Sequence, residues 1–163
     1  MRRLLLLLPV ALGLAATAGA AEGPVQVSLG YSFVKYLEEG VGSAPVGAFL
    51  ALSGRDGLSP ELDLGWQRDS EEDVVLNTFT AVAGPKFTFA TAGAVKPFVH
   101  VLGGARHDRV EGGSNTSWGG FAGGGVDIRA GDRVSVRLGA DFQIFFDQGE
   151  NLKTLRLGVG LTF

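Results

Sequence analysis

Hydrophobic and polar residues alternate along most of this chain, with a period of two. The pattern is clearest over residues 134–146, where aliphatic and phenylalanine side chains alternate with serine, arginine, glycine, aspartate and glutamine. The final segment, "LRLGVGLTF" at 155–163, repeats it. Because successive side chains of a strand point to opposite faces of the sheet, this alternation predicts strands with one apolar and one polar face.

Eight runs of this kind follow one another, and the segments between them are rich in Gly, Pro, Asn, Asp and Ser, which form turns. The predicted strands are 25–37, 46–55, 61–68, 74–91, 96–109, 118–130, 133–147 and 153–163. After residue 20, no segment keeps apolar residues at helical spacing for long. Eight strands with short connections predict an all-β fold, an eight-stranded antiparallel up-and-down β-barrel.

Two kinds of β-barrel, with opposite faces turned inward, show this alternation. A soluble periplasmic barrel turns its apolar face inward, whereas a transmembrane barrel turns it toward lipid and fills its lumen with polar groups. Seven glycines share the polar face, where they weaken a strand exposed to water but make room for long side chains in a narrow lumen. They are Gly30, Gly65, Gly84, Gly104, Gly139, Gly158 and Gly160. The glycines favour the transmembrane barrel.

Aromatic residues fall near the predicted strand ends, as they do at the two water–bilayer interfaces of membrane barrels. One predicted girdle contains Tyr31, Phe33, Tyr36, Trp66, Trp118, Phe145 and Phe146, and the other contains Phe87, Phe89, Phe98 and Phe163. Because a bilayer tolerates no open sheet edge, the last strand must also pair with the first. We therefore favour the transmembrane barrel, with the soluble periplasmic barrel as the alternative.

The amino terminus predicts export. Two arginines, an apolar run and the small residues Ala18-Gly19-Ala20 are typical of a signal peptide over 1–20, cleaved to leave a barrel domain over 21–163. The apolar run is too short for a spanning anchor of about 20 residues. Loss of Arg2 and Arg3 leaves 12 Lys and Arg against 17 Asp and Glu, a net charge of −5 that argues against a nucleic-acid partner. With no cysteine, disulfides and thiolate metal sites are excluded.

Three segments resemble the small OmpA/OmpX-type outer-membrane barrels: "KPFVHVLGG" at 96–104, "FAGGGVDIRAGDRVSVRLGADFQIFF" at 121–146 and the closing "LRLGVGLTF". The resemblance implies a Gram-negative cell outer membrane, contact with its lipids and lipopolysaccharide, and insertion by the outer-membrane assembly machinery. It also implies that the aromatic Phe163 is part of the assembly signal. With no second domain following the barrel, the chain is similar to the barrel-only members.

Strand parity predicts a set of charged side chains in the lumen, five acidic and five basic. They are Glu61, Asp63, Lys86, Arg106, Asp108, Asp127, Arg129, Arg137, Asp141 and Arg156. Unpaired buried charges are unfavourable, so these groups should pair with one another. Asp127 and Asp141 are the expected partners of Arg137 and Arg156. Such a set either plugs the barrel or lines a selective ion path, and the narrow lumen favours the plug.

The connections at one rim are acidic. With the amino terminus at the other rim, they carry Glu38, Glu39, Asp69, Glu71, Glu72, Asp73, Glu111, Asp147 and Glu150. Carboxylate clusters suit hard divalent cations, which lipopolysaccharide phosphates could share, but no loop has EF-hand spacing. Simple solvation of the loops is the favoured interpretation, and we expect no bound metal.

The sequence predicts no enzyme and no cofactor. A membrane deacylase, such as the lipid A-modifying enzymes, needs a His–Ser pair with an orienting acid, and no serine adjoins His100 or His107. The two histidines are seven residues apart and should face opposite sides, with His107 at the rim. The predicted function is a structural or interaction role in the cell envelope. A narrow porin-like channel for ions or small solutes is the alternative.

Overall fold

The computed structural model describes residues 25–37, 45–71, 74–147 and 150–163. The predicted signal peptide lies outside them, as do Glu38, Glu39, Glu72 and Asp73 of the acidic connections, and no side chain is described for Glu71, Asp147 or Glu150. The described chain forms eight strands, numbered in chain order. They are β1 Val25–Tyr36, β2 Val46–Gly54, β3 Gly57–Glu71, β4 Val74–Thr88, β5 Val95–Val110, β6 Gly113–Arg129, β7 Ser135–Asp147 and β8 Glu150–Thr162.

The strands close into a barrel in which every neighbouring pair is antiparallel, so the predicted fold is confirmed. The closing seam joins β1 to β8 from Ser28↔Thr162 to Tyr36↔Thr154. Beyond the last ladder residue, the Phe163 amide donates to the Val27 carbonyl at 2.9 Å, and the Val27 amide donates to the Phe163 carbonyl at 3.2 Å. The terminal segment is therefore a full strand of the barrel, which explains its alternation.

Four strands begin earlier than the sequence predicted, two of them by four or more residues. β3 begins at Gly57 instead of residue 61, and β6 begins at Gly113 instead of residue 118. Gly57 and Gly112 have φ of +65° and +93°, a conformation that glycine adopts without strain. They allow connections of only two residues, 55–56 and 111–112, so the turn formers that predicted longer loops lie mostly inside strands.

The apolar face points outward. Large hydrophobic side chains cover the outer surface, with Trp118 68% exposed, Val101 62% and Phe146 57%. Polar residues of the opposite parity, among them Ser28 and Ser32 of β1, are fully buried in the lumen. This inverted distribution is the one that a lipid-facing barrel requires.

Among the described residues, no helix is both long and apolar enough to cross a membrane.

Three residues predicted for the aromatic girdles point into the lumen instead. Tyr36, Phe98 and Phe145 are 9%, 3% and 0% exposed. Phe145 and Phe146 are consecutive, so only one can face lipid, and Phe146 does. Phe98 shares its face with the buried Leu102. Nearness to a strand end predicted these positions, but parity decides them.

Candidate functional site

Arg156 is buried in the lumen and joins β8 to β3 across it. Its Nη1 and Nη2 donate to Asp63 Oδ1 and Oδ2 at 2.8 and 2.9 Å, a bidentate pair between β8 and β3. Its Nε donates to Asp141 Oδ2 of β7 at 2.8 Å. Paired, planar hydrogen bonds to carboxylates are among the strongest in proteins. Arg156 therefore links three strands of the barrel, β3, β7 and β8.

His100 of β5 continues the chain of contacts. Its Nδ1 lies 2.7 Å from Glu61 Oε1, and its Nε2 lies 2.8 Å from Asp141 Oδ1. Ionised carboxylates only accept hydrogen bonds, so a ring held between two of them donates from both nitrogens and carries a positive charge. His100 thus acts as a buried cation that links β5 to β3 and β7.

Two further cations surround Glu61 and Asp127. Arg137 donates to Asp127 through Nε and Nη2 at 2.8 and 2.9 Å, and its Nη1 lies 3.8 Å from Glu61 Oε2. Lys86 Nζ lies 3.5 Å from the same Glu61 oxygen. In the orientation that satisfies its neighbours, the Gln26 amide oxygen accepts from Lys86 Nζ at 2.6 Å and from Arg137 Nη2 at 2.9 Å. These contacts extend the network toward the end of the barrel that holds the chain termini.

The whole set forms one connected group, defined here as the lumen network. Its members are Glu61, Asp63, Lys86, His100, Asp127, Arg137, Asp141 and Arg156. It contains four carboxylates and three side chains that are cationic without assistance. The His100 imidazolium is the fourth cation and brings the formal charge of the group to zero. Charge balance is what a buried ionic group of this size requires.

Aromatic rings lie against the network's cations. The Arg137 guanidinium lies 4.5 Å from the Phe98 ring centre, and Lys86 Nζ lies 4.8 Å from the same ring. The Arg156 guanidinium lies 4.5 Å from the Phe121 ring. Cations are attracted to aromatic faces, and this attraction strengthens away from water. The inward aromatic residues thus fill space and stabilise the buried charges together.

An apolar layer lies beside the network. Val82, Leu102, Phe121 and Phe145 are each at most 2% exposed and form one buried cluster. The Phe121 and Phe145 rings meet edge to face with centres 5.9 Å apart. On the network side, residues including Phe49, Gly139 and Gly158 line a cavity of about 20 Å³, on the scale of one water molecule.

A smaller polar group lies on the other side of this layer. Arg106 Nε donates to Asp108 Oδ2 at 2.8 Å, and its Nη2 donates to Tyr36 Oη at 3.2 Å. The Thr78 hydroxyl donates to Asp108. Arg106 is buried, whereas the Asp108 carboxyl is partly exposed. This pair is therefore the boundary between the filled lumen and the rim.

The structure brings most of the predicted lumen residues together, but Arg129 is a correction. It has the expected parity, yet it is the last residue of β6, where the barrel has ended, and its side chain is exposed. Conversely, sequence reasoning missed His100. Its parity matches that of Leu102 and Arg106, which are buried, and that signal was available in the sequence.

His107 lies on the outer surface, opposite in parity to His100, and its Nδ1 lies 2.8 Å from the Thr116 hydroxyl oxygen. A catalytic triad also needs an acid against the histidine. Among the contacts of the described residues, no carboxylate meets His107. Within the same residues, no group of three or more His, Asp or Glu is placed to hold a metal ion.

A family model described as "Outer membrane protein beta-barrel domain" matches residues 4–163. Neisserial surface protein A has a similar structure, with a TM-score of 0.70 and 15% identity over 86% of this chain and 96% of that one. The attachment invasion locus protein Ail of Yersinia pestis has a TM-score of 0.58 and 19% identity over 88% and 100%. Pseudomonas aeruginosa OprG has 0.55 and 10% over 85% and 95%. Comparison with curated protein sequences gives no significant match.

Proposed function

The chain belongs to the outer membrane protein beta-barrel domain family, and from this premise we propose that it is a plugged barrel with a structural or interaction role in the cell envelope. The family and the fold make it an outer-membrane barrel protein. The filled lumen supports the further proposal that the barrel does not conduct. Its outer surface and rims, which face lipid and water, are then the parts that meet other molecules.

The apolar layer is the observation that carries the proposal. A pore needs a continuous path that water or ions can wet, and hydrophobic constrictions close pores by excluding water. Val82, Leu102, Phe121 and Phe145, one each on β4 to β7, form a buried apolar cluster between the network and the Arg106–Asp108 pair. An eight-stranded barrel is only just wide enough for side chains to fill it, so little space remains around such a layer.

The lumen network supports the same conclusion. Opening a path along it means separating bidentate pairs such as Arg156–Asp63, and each charge left without a partner in a low-dielectric interior is strongly unfavourable. The contacts join β3, β5, β7 and β8, so they also stabilise the barrel against deformation. The proposed role of the network is therefore to stabilise the barrel by linking its strands. This role requires no passage of solute.

Recordings in planar lipid bilayers test this proposal. We expect the unaltered protein to give no reproducible conductance steps. Phe121→Ala with Phe145→Ala should give steps, because the two substitutions open the apolar layer. Phe142→Ala is the matched control. Phe142 lies on β7, the same strand as Phe145, but its side chain faces outward and is 42% exposed. Steps from the unaltered protein that change in Arg137→Ala would support the narrow-channel alternative and overturn the plug.

Phe163 allows a test of the assembly signal. Phe163→Ser removes the aromatic ring but keeps the two backbone hydrogen bonds to Val27. We expect insertion by the assembly machinery to slow severalfold while the free energy of unfolding changes little. Pulse-labelling of the folded form in cells measures the first, and urea unfolding in lipid vesicles measures the second. Phe87→Ser, at an outward aromatic position of the same rim, should insert at the normal rate. Equal rates for both variants would contradict the signal.

A further inference from the structure

Two rows of outward-facing residues cross β3 to β6 near the rim opposite the chain termini. The pairing places Arg68, Asn77, Arg109 and Ser114 side by side, and we name this set the basic row. A second, parallel set lies two residues further along the strands, away from this rim. It contains Trp66, Phe79, His107 and Thr116, and we name it the aromatic row. Polar groups thus lie directly over an aromatic band on one continuous surface.

The basic row contains two arginines, one on each side of Asn77. Arg68 and Arg109 both pair with Asn77, so they are two strands apart, about 10 Å between Cα atoms. Both side chains are exposed. In the salt bridges among the described residues, neither arginine has an acidic partner. Glu111 lies beyond the row, in the β5–β6 turn. Two extended guanidinium groups at this separation can reach one anion between them, and guanidinium geometry suits phosphate.

The aromatic row places this pair at a membrane interface. Phe79 is 49% exposed, and Trp118, next to this row on β6, is 68% exposed. Tryptophan and other aromatic residues mark the level of lipid headgroups, so the arginines lie where the phosphates of a lipid lie. Other exposed cations occur at the same rim on the opposite wall, where Lys35 and Lys153 occupy the β1–β8 seam.

We infer that the basic row binds the phosphate group of a phosphorylated lipid headgroup, with Arg68 and Arg109 as its ligands and Trp66, Phe79 and Trp118 against the acyl chains. The inference rests on the proposed function, because it needs the barrel to lie in a bilayer with this rim at one leaflet. Asn77, between the arginines, donates a further hydrogen bond from its amide. The chemistry selects a phosphomonoester over an uncharged headgroup of similar size.

Lipid binding can be followed with the protein's own fluorescence, because Trp66 and Trp118 are its two tryptophans. The barrel is refolded in phosphatidylcholine nanodiscs and titrated with bisphosphorylated lipid A, and retained lipid is counted by native mass spectrometry. We expect saturable binding. Its affinity should fall about 30-fold in Arg68→Gln/Arg109→Gln, because each arginine at an anionic lipid surface contributes about fivefold to the affinity. Arg129→Gln/Arg133→Gln removes two arginines at the opposite rim and should bind as the unaltered protein does.

A second comparison needs no variant. Lipid A stripped of both phosphates should bind the unaltered barrel as weakly as the double variant binds the intact lipid, whereas competition by free inorganic phosphate would assign the site to a soluble anion and overturn the lipid inference. Equal binding of the two lipids would also overturn it. These outcomes are separate from those of the conductance test, since a conducting barrel could still bind the lipid and a plugged barrel could fail to.

Discussion

Replacement of Arg156 by methionine should lower the free energy of unfolding by about 3–5 kcal/mol, the usual effect of removing one partner from a buried ion pair. Methionine fills similar space but leaves Asp63 and Asp141 without the cation that both contact at 2.7–2.9 Å. Among the described salt bridges, Asp63 then has no cation and Asp141 keeps only His100, so one buried negative charge of the network is uncompensated. Urea unfolding of the barrel in lipid vesicles, followed by the faster-migrating folded form on unheated gels, measures it.

Two further variants separate charge from packing. Arg129→Met removes an exposed arginine at the end of β6 and should change stability by less than about 0.5 kcal/mol. Asp63→Asn combined with Arg156→Met removes the one uncompensated negative charge, so the double variant should be more stable than Arg156→Met alone. If the double variant is less stable than Arg156→Met, the effect comes from lost packing and the network does not act through charge.

The architecture of the barrel was predictable because it depends on a local rule. Alternation along each strand identified both faces, and the glycines among polar residues indicated which face was inside. The rule works residue by residue, so Asp141 and Arg156 were assigned to the lumen without knowledge of their partners. It fails at strand ends, where Arg129 keeps its parity but leaves the barrel.

The pairing within the lumen was less predictable, because it depends on the stagger of the closed sheet. Asp127 and Arg137 are cross-strand neighbours on β6 and β7, so their pairing could be foreseen. Asp63 and Arg156 are 93 residues apart in the chain and meet across the lumen, which no sequence spacing indicates. Parity could place His100 on the lumen face, but its charge could not be foreseen, because the ring is a cation only where it lies between Glu61 and Asp141.

Glycine positions in the lumen differ in a way that only the structure shows. Gly30 and Gly160 face each other in the β1–β8 seam. A Cβ at Gly160 would lie 2.4 Å from the Leu29 carbonyl oxygen, and one at Gly30 would lie 2.2 Å from that of Val159. At Gly139 of β7, the nearest atom to an added Cβ is the Gly124 carbonyl oxygen at 3.7 Å, an ordinary contact. Gly30 and Gly160 are therefore needed for the close approach of β1 and β8, whereas Gly139 is not needed for the approach of its neighbouring strand.

Gly160→Ala should therefore destabilise the barrel, although glycine usually weakens a strand more than alanine does. The clash is with backbone, which cannot move without opening the seam, so we expect a loss of about 3 kcal/mol, the upper end for an overpacked site. Gly139→Ala is the matched control on the neighbouring strand and should be neutral or slightly stabilising, because it reduces the freedom of the unfolded chain. Both are measured by urea unfolding in vesicles. Equal stability of the two variants would show that the seam has room, and that β1 and β8 close without a requirement for glycine.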